Sequence, residues 1–214
     1  FASSWLIRRL PALAAEQGLE VEVIATRDPE ALHSGEVHLA IWGGLSAPEG
    51  VVADELSPSS AAPVSTASLA DGRPAPRSPT ELTERTLIEV MAPGASWSRW
   101  FAASGLAPRP SELRIAGYPT QQLAFEAAAA GLGVALASPL VSEPYVPERG
   151  LSPCGAARAT GSAYRLCRAP RRRAGSAAER RFEAWLRREV NASVDRFGRN
   201  VAAAAAAAEA AGSD

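Results

Sequence analysis

The chain has 214 residues, of which 47% are hydrophobic, and a formal net charge of −1. That length buries a sizeable core and fits either one large domain or two small ones. The balanced charge excludes a global electrostatic pull toward nucleic acid or an anionic membrane, and no uninterrupted apolar run approaches the roughly 18 residues that a membrane span needs.

Helical periodicity opens the chain at Phe1, Trp5, Leu6, Leu10 and Leu13, and Pro11 is expected to bend or close that helix. Arg8 and Arg9 interrupt its apolar pattern, so the segment does not read as a secretory signal, and a cytoplasmic location is the default expectation. A strand is predicted at 20–25, a short helix at 29–33 with Gly35 as its stop, and a buried strand at 37–42. Residues 70–80, rich in Pro, Arg, Ser and Gly, read as a loop. A second strand and helix series follows: strand 86–90, helix 97–104, strand 112–116, helix 120–130 and strand 134–137. Such alternation is the pattern of a parallel α/β sheet. Cys154 and Cys167 are too few for a disulfide scaffold and lack metal-ligand spacing, so no metal and no cofactor are expected. Beyond residue 191, the alanine run 202–208 has high helix propensity but no amphipathic stripe, which predicts a frayed or disordered tail.

The most informative stretch is 117–139, GYPTQQLAFEAAAAGLGVALASP. Pro119 and Thr120 mark a helix N-terminus, whose free N–H groups favour an anion or a carbonyl. A small-residue helix follows, then Gly131-Leu132-Gly133 and the apolar strand 134–137. In an α/β sheet, small ligands bind where helix N-termini meet the carboxyl ends of strands, so this unit reads as binding rather than catalytic.

This stretch resembles the "ALxAAxAGxGVALxP" segment of the effector domains of LysR-type transcriptional regulators, and four further segments agree in order. FASSWLIRRLPAL is similar to that family's first effector-domain helix, and GLEVEVIATRDPEALHSGEVHLAIWGG to the strand, short helix and "V-D-L-A-I" strand that follow. APVSTASL at 62–69 resembles the crossing segment, and SRWFAASG at 98–105 the "W-x-x-W-L-x-A-A-G" of the branch containing the glycine-cleavage and β-lactamase regulators. The resemblance spans roughly residues 1 to 189. It implies two Rossmann-like subdomains of the periplasmic-binding-protein type II kind, joined by crossover strands near Ser65 and Tyr164. The first subdomain would be 1–66 with 165–190, including a strand at 163–168 and a helix at 177–189. The second would be 67–164, with 191–214 as the tail.

The resemblance implies an effector site in the cleft between the subdomains. Ser3 and Ser4 match the start of the first helix, where the family offers hydroxyls and N–H groups, and simple helix capping is the alternative. Thr120 and Gln121 occupy the matching helix start in the second subdomain. Thr66 lies in one crossing strand, and Tyr164 in the other, where β-lactamase regulators place an aromatic facing the ligand. Asp28 stands near a cleft aspartate of those regulators, although Asp-Pro is also an ordinary helix-start signal. The chain departs from the pattern at His38, where the family's usual acid stands, and at Trp42. The family's winged helix-turn-helix, its linker helix and the first effector-domain strand also have no counterpart, which predicts either a fragment of a longer regulator or a truncated product with an open sheet edge.

No catalytic constellation accompanies these features. His33 and His38 lack a nucleophile or a paired acid, and no G-x-S-x-G elbow, P-loop or G-x-G-x-x-G fingerprint occurs in the required setting. The run 171–173 of three arginines reads as a solvated turn, and Glu183 with Arg187 as a helix-surface pair. The expected function is therefore a non-enzymatic sensing domain of a bacterial DNA-binding regulator. It would bind a small effector, an amino acid or a cell-wall peptide, act as a homodimer or homotetramer, and reach DNA only through an N-terminal domain. The alternatives are a free-standing solute-binding protein, which would need an export signal, and a truncated remnant of a regulator that no longer binds DNA.

Overall fold

The computed structural model describes residues 1–91, 96–142, 145–172 and 175–211. The chain opens with a π-helical turn at Ala2–Leu6, a 3₁₀ turn at Ile7–Arg9 and helix α1 at Leu10–Gln17. Pro11 is the reason for the segmentation. Having no N–H, it cannot continue an α-helical ladder from the preceding turn, but in the first turn of α1 that donor is not needed. It therefore opens α1 rather than closing the helix. Gly18, at φ 60°, caps the C-terminus.

Residues 19–28 correct the expected strand at 20–25. The stretch is not part of any ladder, although Val21 and Val23 pack on the core as their alternation requires. Alternation specifies which side chains are buried, but a strand also needs a partner for its backbone groups. Helix α2 (Glu30–His33) and strand β1 (Ala40–Gly44) follow, β1 beginning later than the expected 37. Among the described residues β1 is the terminal strand of the sheet and pairs only with the strand Arg158–Arg168. Between it and residues 19–29 lies a groove of about 940 Å³, lined by Leu19 through Pro29, by Glu36 through Trp42, and by Phe1, Leu6 and Phe182.

Strand β2 (Val52–Ser65) is the longest in the molecule and was not legible from periodicity, because Pro58 and Pro63 normally demote a strand. It tolerates Pro58 through shifts of register between Glu55 and Ser57 and between Pro58 and Ser60. The order continues with α3 (Pro79–Thr83), β3 (Thr86–Val90), α4 (Trp97–Ala103), β4 (Arg114–Tyr118), α5 (Gln121–Ala129), β5 (Val134–Ala137), α6 (Pro139–Ser142), α7 (Tyr145–Glu148), β6 (Ser152–Pro153), β7 (Arg158–Arg168) and α8 (Ala177–Ala211). Among the described residues the strands form one mixed sheet in the order β1-β7-β2-β5-β3-β4, with β6 on β2. The β5-β3-β4 end is parallel, as the strand and helix alternation predicts, and the β1-β7-β2 end is antiparallel.

Gly131 and Gly133 set the approach of α5 to the sheet. Gly131, at φ 75°, ends the helix and sits where a Cβ would meet the Ala70 amide nitrogen at 2.8 Å. Gly133 enters β5 so close to β3 that a Cβ would lie on the Thr86 carbonyl oxygen.

Three apolar clusters hold the two ends of the sheet. Trp5, Leu6, Leu13, Leu166, Trp185 and Leu186 centre the first, beside β1 and β7. Ile88, Phe125, Ala128 and Ala135 centre the second, and Leu82, Leu87, Trp97, Trp100 and Phe101 the third. Helix α8 reaches both the first and the second. The tail expected from residue 191 is instead its continuation, helical to Ala211, with Ser193 and Val201 buried and Phe197 against the second cluster. The docking stripe is Val190, Val194, Phe197 and Val201, spaced by three or four residues, and the adjacent alanine run masks it.

Candidate functional site

At the parallel end of the sheet, β3 and β4 deliver the chain to the starts of α4 and α5. Thr120 adopts an extended conformation at the N-cap of α5, and its exposed hydroxyl accepts a hydrogen bond from the Leu123 amide at 3.3 Å. That hydroxyl keeps its own proton free to donate. Gln121 Nε2 donates to the Leu136 carbonyl at 3.3 Å, tying the helix start to the carboxyl end of β5. Beside it, Glu89 Oε1 accepts from the Trp97 amide at 3.0 Å and so caps α4, while the Trp97 indole donates to the Ile88 carbonyl at 3.0 Å. Glu89, Trp97, Gln121 and Leu136 line a small depression of about 20 Å³, the size of one water.

The second group lies at the opening turns of the chain. Ser3 is exposed and Ser4 is buried, and neither hydroxyl bonds to a described residue. Phe1 stacks on Trp5 at 5.0 Å and its ring meets that of Tyr164 at a tilt, 5.4 Å between centroids, so Tyr164 adjoins the turn that carries both serines. In the sheet Tyr164 faces Gly43 of β1 and Ser57 of β2, where any larger residue at position 43 would press on its ring. Burial raises the Tyr164 phenol to about 12 and lowers the Phe1 amine.

Two candidate residues have local structural roles. Thr66 follows the end of β2 and its hydroxyl donates to the Ser68 carbonyl at 2.8 Å, closing a turn. Asp28 is exposed and accepts from the Glu30 amide at 2.9 Å at the start of α2, beside the sheet-edge groove rather than at the start of α5. The structure thus joins Tyr164 to Phe1, and Gln121 to Glu89. No hydrogen bond or ring contact links these two groups among the described residues. Sequence reasoning missed Glu89 and Trp97. It also missed the buried hydroxyls where β2 meets β7: Thr160 donates to the Ser59 carbonyl at 3.0 Å and contacts Ser162 at 2.8 Å. The runs SPSS and TGS were visible, but nothing in their spacing set them opposite one another.

Three other polar residues singled out by the sequence, His33, His38 and Arg171, lie elsewhere in the fold. His33 contacts the Gly50 carbonyl at 3.1 Å and Glu30 at 3.6 Å, and His38 lines the sheet-edge groove. Arg171 lies in a 3₁₀ turn at Pro170–Arg172, and Arg173 falls outside the described residues. Among the described residues no group of three His, Cys, Asp or Glu is arranged to hold a metal, and no helix is long and apolar enough to cross a membrane.

The Glu183 and Arg187 pair is part of a larger network. Glu183 also receives Arg168 at 3.0 Å, and Arg168 reaches Asp54 at 3.4 Å. Burial alone would raise the Glu183 carboxyl, yet hydrogen bonds from Arg187 and Arg168 prevail and hold it below the usual carboxylate range. A lowered folded-state value means stability present above about pH 4.3 and lost as pH falls through the folded value. Tyr164 acts in the opposite window. Its raised value gives stability present below about pH 10 and lost as the pH rises toward 12. An alkaline titration followed by tyrosinate absorbance should therefore show one of the three tyrosines ionising only at about pH 12. Simultaneous ionisation of all three in the folded chain would remove Tyr164 from its buried setting.

Comparison with known proteins bears on the fold and the family. No curated protein matches the chain. Among solved structures, the effector domain of the transcriptional regulator AmpR of Pseudomonas aeruginosa aligns with a TM-score of 0.71 at 23% identity, over 92% of this chain and 94% of that one. The AmpR effector-binding domain of Citrobacter freundii gives 0.70 at 20%, over 89% and 94%. The regulatory domain of CrgA, a LysR-type regulator of Neisseria meningitidis, gives 0.65 at 14%, over 88% and 93%. At these identities the structures establish the fold, and the family follows from a separate match: residues 1–191 fit the model of the LysR substrate binding domain, so the chain belongs to that family.

Proposed function

We propose that this chain is the ligand-sensing domain of a LysR-type transcriptional regulator and that its effector is held at the start of α5, with the Phe1 and Tyr164 group as the opposite wall of the cleft. The observation that carries this reading is the N-terminus of α5. An exposed hydroxyl with a free proton, Thr120, stands there beside the amide of Gln121, at the carboxyl ends of parallel strands. Such a pole suits a carboxylate or amide oxygen, consistent with an amino acid or a cell-wall peptide. Ser3, Ser4 and Tyr164 would supply contacts from the other side, whereas Thr66 and Asp28 shape local turns. In this reading the domain works in the cytoplasm without catalysis, pairs as a homodimer or homotetramer, and reaches DNA only through an N-terminal domain. Effector binding would act by shifting the arrangement of that assembly.

Thermal denaturation in the presence of free amino acids and of cell-wall peptides, followed by calorimetry on any compound that stabilises the chain, tests the proposal. Thr120→Val should weaken binding of such a compound about tenfold while costing about 1 kcal/mol of stability through the lost cap. Thr120→Ser, which keeps the hydroxyl, should bind nearly as the parent does. Equal affinity in the valine variant would remove Thr120 from the site, and failure of both compound classes to bind would overturn the reading of the effector.

A further inference from the structure

Helix α8 runs for 35 residues, and residues 192–211 lie beyond the stretch that the family model matches. Its first half belongs to one end of the molecule: Phe182, Trp185, Leu186 and Val190 pack in the cluster around Trp5 and Leu166. Its continuation belongs to the other, with Phe197 against the cluster around Ile88 and Phe125. At the passage between them stands Ser193, fully buried. Its Oγ accepts from the Trp5 indole at 2.9 Å and from Arg9 at 3.1 Å, while the Arg9 guanidinium lies 4.4 Å over the Trp5 ring. Trp5 belongs to the same π-helical turn as Ser3 and Ser4.

A contact in the opposite sense completes the arrangement. Leu140 of α6, immediately after β5, inserts into the first cluster. Arg8 meets Glu148 of α7 at 3.1 Å, an exposed pair that contributes little by itself. Strands β2 and β7 run between the two ends of the sheet, and their pairing is irregular around Ser57 to Ser60. Register shifts of this kind are where a sheet bends most readily.

From this we infer that the α8 continuation is a brace, fixed to the opening helix through Ser193 and to the second cluster through Phe197, which holds the two ends of the sheet at one mutual angle across the bend in β2 and β7. Release of the brace then sets how freely the two ends of the sheet move against one another, and only its bearing on the width of the cleft rests on the proposed function. The inference needs no effector, so its test is separate from that of the proposed ligand site.

Hydrogen exchange read by mass spectrometry on the ligand-free chain tests it. In Phe197→Ala and in Ser193→Ala, amides of residues 57–61 and 159–163 should exchange about tenfold faster, while those of β3 and β5 keep the parent rate. Unchanged exchange at the bend in Phe197→Ala would overturn the inference. So would an equal increase in all strands, because that is global destabilisation and not loss of a brace.

Discussion

Trp5→Ala is expected to lower stability by about 4 kcal/mol, the high end for a large-to-small core change. Trp5 is fully buried, and its ring is shared by three partners: Phe1 stacks at 5.0 Å, the Arg9 guanidinium lies over the face, and the indole donates to Ser193. Truncation opens a cavity in the first cluster and leaves the buried Ser193 hydroxyl with one donor fewer. The midpoint of thermal unfolding should fall by roughly 10 °C for a chain of this size. Trp5→Phe separates the two components, since it keeps an aromatic ring but no indole N–H, and should cost about 1–2 kcal/mol. Urea unfolding followed by circular dichroism measures both. A loss below about 1 kcal/mol for Trp5→Ala would mean that the opening turns are not docked as described.

Gly133→Ala should cost about 3 kcal/mol, although it adds a single methyl group. The clash is with the Thr86 backbone oxygen, which cannot rotate away, and relieving it would pry β5 from β3 where Leu87 pairs with Val134. Because Gln121 is tied to Leu136 on β5, the α5 pole should move with it, and effector binding should weaken together with stability. Gly72→Ala is the contrasting control. Gly72 has a positive φ, 81°, which Gly133 lacks, but open space around its Cβ position, so only the conformational cost of about 1–2 kcal/mol applies. A loss below about 1 kcal/mol in Gly133→Ala would show that the contact with Thr86 is relieved at little cost and does not hold β5 in place.

The parallel half of the fold was legible in the sequence because its signals are local. Strand 86–90 and strand 134–137 match β3 and β5, and Thr120 caps α5 as its position before a helical run requires. Gly131 and Gly133 mark the helix end and the close packing that follows. The family was equally legible, since short motifs in a fixed order survive where no single one is specific.

What the sequence left open were pairings over long separations. Residues 20–25 carry the alternation of a strand, but the backbone partner that would make them one is not chosen by alternation. β2 carries two prolines that argue against a strand, and only its register against β7 and β5 shows how they are accommodated. The stripe on α8 has meaning only because Trp5, 188 residues away in sequence, supplies the donor for Ser193, and because the second cluster receives Phe197. The same holds for the site. The sequence determined that a hydroxyl stands at the start of α5, because a helix cap is specified by the few residues around it. Only the tertiary structure decided that Glu89 lies beside Gln121 and that Phe1 leans on Tyr164, because burial and packing bring together residues whose separation in the chain carries no local signal.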